Sequence, residues 1–198
     1  MNSVRIMPLG DSITRGLIIP PPGFIPAGYR ARLYQRLTRE WQPVEFVGSA
    51  DDNPDPDHLP SPHHEGHGGF RIDEIQARID GWLAAARPDL VLLHIGTNDM
   101  VQEYDLDGAP ARLDGLLAHL PTRVFVAQII SSLEQRVRGR IERFNAAVPA
   151  IAARHGATVV DMYHAVALSD FADSYHPNAD GYARIADAWF GAITGSRQ

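Results

Sequence analysis

The sequence predicts an α/β fold built on one five-stranded parallel sheet with helices on both faces. Three observations carry that expectation. Strand-like and helix-like segments alternate along the 198 residues. The main strand-like segments are almost continuously apolar, as expected where both faces of a sheet are covered. The helix-like segments carry apolar residues at steps of three and four, so each has one face to bury. No internal repeat or linker interrupts the alternation, so residues 1–198 read as a single domain. A chain of this length can bury roughly 70% of its unfolded surface, which needs no metal or disulfide.

The first strand is Val4 to Leu9, and it stops at Gly10-Asp11-Ser12-Ile13-Thr14. Leu17 to Pro26 is too rich in proline for helix or central strand, and is either a connector or a wall of a cleft beside Ser12. Tyr29 to Trp41 carries a helical stripe of Leu33, Tyr34, Leu37 and Trp41. Val44 to Val47 is a short second strand ended by Gly48. Ser49 to Gly69 is a long polar segment, the kind that is functional or disordered inside a small domain. Ile72, Ile75, Ile79, Trp82 and Leu83 predict one helix closed by Pro88. Leu90 to Ile95 is the third strand, ending in Gly96-Thr97-Asn98-Asp99. Leu113, Leu116, Leu117 and Leu120 mark a helix, and Val124 to Ile130 the fourth strand. Val137, Ile141, Phe144, Val148 and Ile151 mark a long helix with a kink expected at Pro149. Thr158 to Val160 is the fifth strand. Met162 to Asn178 reads mostly as loop, before a closing helix striped by Tyr182, Ile185, Trp189, Phe190 and Ile193.

Composition removes several chemistries. Without Cys there is no thiol catalysis, no Cys-ligated zinc and no disulfide. All 18 basic residues are Arg, which excludes a phosphate-loop Lys, a Schiff-base Lys and a Ser/Lys hydrolase. A net charge of −6 without a basic run argues against nucleic acid. No apolar stretch reaches the ~20 residues that span a bilayer, so no membrane partner is expected. Met1 to Arg5 shows no charged-then-apolar leader, so the expectation is a cytoplasmic chain or one whose leader was removed. In the polar segment, Pro56 occupies the Gly position of a calcium-binding EF-hand loop starting at Asp51, and no Glu follows at the twelfth position. His58, His63, His64 and His67 match no zinc spacing, so no metal is assigned.

The remaining polar groups converge. Ser12 follows strand one, Gly68-Gly69 follow strand two, Asn98 follows strand three, and Asp173 and His176 follow strand five. In an open parallel sheet all these positions lie at the carboxyl edge, where ligands bind. A Ser hydroxyl needs an adjacent base, and His176 can be that base. Asp173, three residues earlier, can orient the imidazole. The Ser12 and Gly69 N–H groups and the Asn98 amide can face an oxyanion, with Gly68 an alternative to Gly69. The catalytic candidates are therefore Ser12, Asp173 and His176, and the oxyanion candidates Ser12, Gly69 and Asn98. Tyr29, Phe70 and the proline-rich loop are candidates for the alcohol side of a substrate. Thr14 stands where an α/β-hydrolase elbow has its second Gly, so that motif is absent.

These stretches resemble the GDSL/SGNH hydrolase superfamily. Gly10 to Thr14 looks like its first block, Gly96 to Asp99 like its third, and Asp173-Ser174-Tyr175-His176-Pro177-Asn178 like its last. Within it the chain is most similar to the acetylxylan esterases of carbohydrate esterase family 3. The likeness lies in His64 to Ile75, Leu92 to Asp99 and His176 to Tyr182. The resemblance implies a flavodoxin-like three-layer α/β/α sandwich. It also implies hydrolysis of acetyl esters on small or polymeric sugars, with no cofactor.

Overall fold

The computed structural model describes residues 3–18, 23–120 and 123–195. β1 (Val4–Gly10) enters α1 (Ser12–Arg15), followed by a ribbon of β2 (Leu17–Ile18) and β3 (Gly23–Phe24). Pro20 to Pro22, the centre of the proline-rich loop, lies outside the described residues. Then come α2 (Arg30–Glu40), β4 (Val44–Phe46), β5 (Glu65–Gly66), α3 (Ile72–Gln76), α4 (Ile79–Ala86) and β6 (Leu90–His94). The second half holds α5 (Thr97–Val101), α6 (Ala109–Ala118), β7 (Arg123–Gln128), α7 (Gln135–Arg154), β8 (Thr158–Asp161), α8 (Met162–Ala165) and α9 (Ala179–Gly195).

The five expected strands form a parallel sheet in the order β4-β1-β6-β7-β8, and β5 adds two residues beside β1. This is the doubly wound order of a flavodoxin-like sheet, with its topological switch between β1 and β6. Side chains alternate between two apolar layers, as strand geometry requires. Ile6, Leu90, Leu92 and Phe125 meet α2 and α9 through Leu33, Leu37, Ile185 and Trp189. Met7, Val91, Leu93 and Val126 meet α3, α6 and α7 through Ile75, Leu116, Ile141 and Val148. Burial on both faces explains the nearly continuous apolar runs.

One expectation needs correction. The helix over Ile72 to Leu83 is two helices, α3 and α4. The Arg78 N–H bonds to the Ile75 carbonyl at 3.0 Å, a three-residue closure that ends the first helix. The long helix expected around Pro149 is present as α7, which runs from Gln135 through Arg154. Proline cannot donate to the carbonyl four residues back. That carbonyl, on Asn145, instead accepts from Gln128 Nε2 at 3.0 Å. The Asn145 side chain also continues the pairing of β7, accepting from Ile129 N at 2.8 Å and donating to its carbonyl at 2.8 Å.

Candidate active site

β1 ends at Gly10, opposite His94 of β6. A Cβ at Gly10 would stand 2.1 Å from the His94 carbonyl oxygen, so only glycine permits this close approach. Asp11 caps α1, its Oδ1 accepting from Ile13 N at 2.9 Å. The cap turns the chain so that Ser12 faces the carboxyl edge at the topological switch.

His176 meets Ser12 there. Ser12 Oγ and His176 Nε2 are 2.8 Å apart, and both residues are 7% exposed. His176 Nδ1 lies 3.0 and 2.9 Å from the two Asp173 carboxylate oxygens. Asp173 is itself fixed, because Oδ1 accepts from Tyr175 N at 2.8 Å and His176 N at 2.9 Å. A carboxylate can only accept, so Nδ1 carries the proton and Nε2 is left to accept from the Ser12 hydroxyl. This arrangement can activate a hydroxyl nucleophile.

A cleft of about 210 Å³ opens over the pair, lined by Ser12, Gly68, Gly69, Asn98 and His176 together with Leu17, Thr97, Val101 and Tyr175. Asn98 Nδ2 donates to the Phe70 carbonyl at 3.0 Å and, in a long contact of 3.5 Å, to the Asp11 carboxylate, and the residue lines the cleft. Gly69 has a φ of +81°, a conformation that favours glycine, and its carbonyl is held by Gln102 Nε2 at 2.9 Å. Gly68 and Gly69 both line the cleft, so both oxyanion alternatives stay within reach.

Two alcohol-side candidates are corrected. Tyr29 is 1% exposed and packs on Trp189, ring centroids 6.5 Å apart, so it belongs to the core beneath α2. The Phe70 ring does not line the cleft; it stacks on His67 at 5.1 Å, and only its backbone carbonyl serves the site. Of the proline-rich loop, Leu17 lines the cleft.

The polar segment before Gly69 is anchored by buried charge. Arg30 is buried and donates to the Pro62 carbonyl, and more weakly to the carbonyls of Asn53 at 3.3 Å and Arg15 at 3.4 Å. Burial pulls its pKa down to about 10, which still leaves a cation at neutral pH. His64 Nδ1 accepts from Gly66 N at 2.9 Å, and Nε2 lies 3.0 Å from the Asp52 carbonyl. Burial and the Arg30 charge lower its pKa to about 3. Buried Glu65 meets His67 Nε2 at 2.8 Å, and the His67 ring stacks on Trp82 at 4.5 Å. His58 pairs with Asp55 and His63 is exposed. Among the described residues, no group of three or more His, Asp or Glu is placed to hold a metal ion.

Sequence reading missed Asp11, Gln102 and Tyr175. Asp11 is fully buried, and burial pushes its carboxyl up to about 7, the Asp99 charge adding to the rise and the Ile13 N–H opposing it. Tyr175 lines the cleft while its hydroxyl donates to Glu134 at 2.5 Å. Its place between Asp173 and His176 was the available signal.

The profile of the GDSL-like Lipase/Acylhydrolase family matches residues 9–184. The chain belongs to this family. It is accordingly a carboxylic ester hydrolase of the GDSL type. It is similar to a family 3 carbohydrate esterase of Clostridium thermocellum, with 28% identity, 98% of this chain and 96% of that chain covered, and a TM-score of 0.79. A family 3 carbohydrate esterase of Talaromyces cellulolyticus gives 26% identity, 97% coverage of each chain and a TM-score of 0.76. A multidomain esterase of Ruminococcus flavefaciens is 30% identical over 98% of this chain, which spans 29% of that protein's length. Among the described residues of this GDSL hydrolase, no helix is long and apolar enough to cross a membrane.

Proposed function

We propose that this chain, as one hydrolase domain, removes acetyl groups from carbohydrate hydroxyls through a Ser12–His176–Asp173 triad. The observation that carries the reading is the 2.8 Å approach of Ser12 Oγ to His176 Nε2, with Nδ1 held against Asp173. His176 takes the Ser12 proton as Oγ attacks the ester carbonyl carbon. The tetrahedral oxyanion is held by the Ser12 N–H, the Gly69 N–H and the Asn98 side-chain amide, which gives up its long contact with Asp11. Collapse breaks the bond to the sugar oxygen, which leaves with the proton from His176. Water then gives its proton to His176, attacks the acyl-enzyme and releases acetate, and the proton returns to Ser12. The short acyl group is supported by the 210 Å³ cleft, which sits below the usual range for pockets that enclose larger ligands. The sugar side is supported by the likeness to two family 3 carbohydrate esterases.

The test compares p-nitrophenyl acetate with p-nitrophenyl octanoate, wild type beside Ser12→Ala. Activity on acetate that disappears in the variant is the expected result. A preference for octanoate would favour a thioesterase or lysophospholipase acting on longer acyl chains instead. An active Ser12→Ala protein would overturn the triad, and failure of a fluorophosphonate to label Ser12 in wild type would favour a glycan-binding role.

A further inference from the structure

The ribbon of β2 and β3 carries an aromatic ring opposite Leu17, a residue that lines the cleft. Leu17 and Phe24 are directly opposed in this antiparallel pair. Opposed residues project from the same face of a ribbon. Leu17 lines the cleft, so Phe24 stands beside it on that face. Phe24 is 42% exposed, a large apolar surface that the fold leaves unburied.

Arg15 connects this ring to the reacting serine. Its guanidinium carbon lies 5.1 Å from the Phe24 ring centroid. Its Nη1 lies 3.9 Å from where a Cβ on Gly68 would stand, and the Ser12 Cβ lies 4.0 Å from that same point. The side chain is partly exposed and paired with Asp52. Its backbone carbonyl is pinned by Asn53 Nδ2 at 2.7 Å. A fixed guanidinium with several N–H donors therefore sits between an exposed ring and the cleft floor.

We propose that Phe24 and Arg15 form the alcohol-side subsite, taking a pyranose ring whose hydroxyl carries the ester. The axial C–H face of a pyranose is apolar and complements the negative face of an aromatic ring. The sugar hydroxyls accept from the guanidinium. The proposal rests on the carbohydrate-ester reading above and adds to it the residues that select the alcohol.

The experiment measures kcat/KM on a mono-acetylated methyl xylopyranoside and on ethyl acetate, neither of which has an aromatic leaving group. The readout is the ratio of the two. Phe24→Leu keeps apolar bulk on the ribbon and removes the ring face; Phe24→Tyr keeps the ring. The ratio is expected to fall at least fivefold in Phe24→Leu, chiefly through KM on the sugar ester. Phe24→Tyr should stay within twofold of wild type. A ratio unchanged in Phe24→Leu, or lost equally in Phe24→Tyr, overturns the subsite. Wild type that cleaves ethyl acetate and not the sugar ester overturns the carbohydrate reading, a separate result seen before any variant is made.

Discussion

Replacing Asp11 by Asn should make the protein more stable at alkaline pH and leave it little changed at acid pH. In the folded chain burial raises the Asp11 carboxyl from 3.8 to about 7. The folded state therefore holds a proton that the unfolded state has lost between those values. Stability rises with pH where the unfolded state binds more protons, so here it falls as pH rises, and levels off above about 7. Each unit is worth about 1.4 kcal/mol. From pH 4.5 to 8 the wild type should lose on the order of 3 kcal/mol through this group alone. Asn keeps an oxygen for the Ile13 N–H but has no charge to desolvate. Other carboxylates titrate in both proteins, including Asp99, whose pKa burial also raises. The stability difference between variant and wild type removes most of that background. Urea unfolding across pH 4.5 to 8.5 measures it. With a slope of about 2 kcal/mol per molar urea, the gap between midpoints should widen by about 1.5 M. A gap that stays constant over this range, or narrows as pH rises, would refute the reasoning.

The amide of Asn98 and the side chain of Asn145 give two further tests. Asn98→Ala removes one of the proposed oxyanion donors and should lower kcat roughly 10²- to 10³-fold with KM little changed; steady-state kinetics on p-nitrophenyl acetate within fivefold of wild type would contradict that role. Asn145→Ala leaves the Ile129 N–H and carbonyl without the partners they have at 2.8 Å. It should cost about 2–4 kcal/mol in urea unfolding, and a loss below about 1 kcal/mol would mean that water or a shifted strand replaces them.

The central fold was legible because its signals are local. A strand buried on both faces is apolar along most of its length, and Leu90 to Leu93 shows this in four consecutive buried apolar residues. β5 was not legible, because it is two residues long and begins with the charged residue Glu65. The split between α3 and α4 was hidden for a different reason. Ile72, Ile75 and Ile79 are all buried, so the apolar stripe continues across the break.

The candidate site divides in the same way. Ser12, Asn98, Asp173 and His176 could be placed because each follows a strand, and the carboxyl edge gathers whatever follows strands. The supports of Gly69 could not. Charged side chains are normally placed outside, so neither Arg30 nor Glu65 reads as interior. Each becomes tolerable inside only through distant partners: the Pro62 carbonyl for Arg30, Ser49 and His67 for Glu65. Tyr29 was misplaced beside Arg30 for the same reason, since the chain enters α2 with both side chains buried. The polar segment carries no periodicity, because much of its order comes from the buried polar groups Arg30, His64 and Glu65 rather than from an apolar face. Arg30 reaches both the carbonyl of Arg15, whose guanidinium adjoins the cleft, and the segment that ends at Gly69. The segment that brings Gly69 to the cleft is thus held by a buried cation whose effect becomes visible only when the chain is folded.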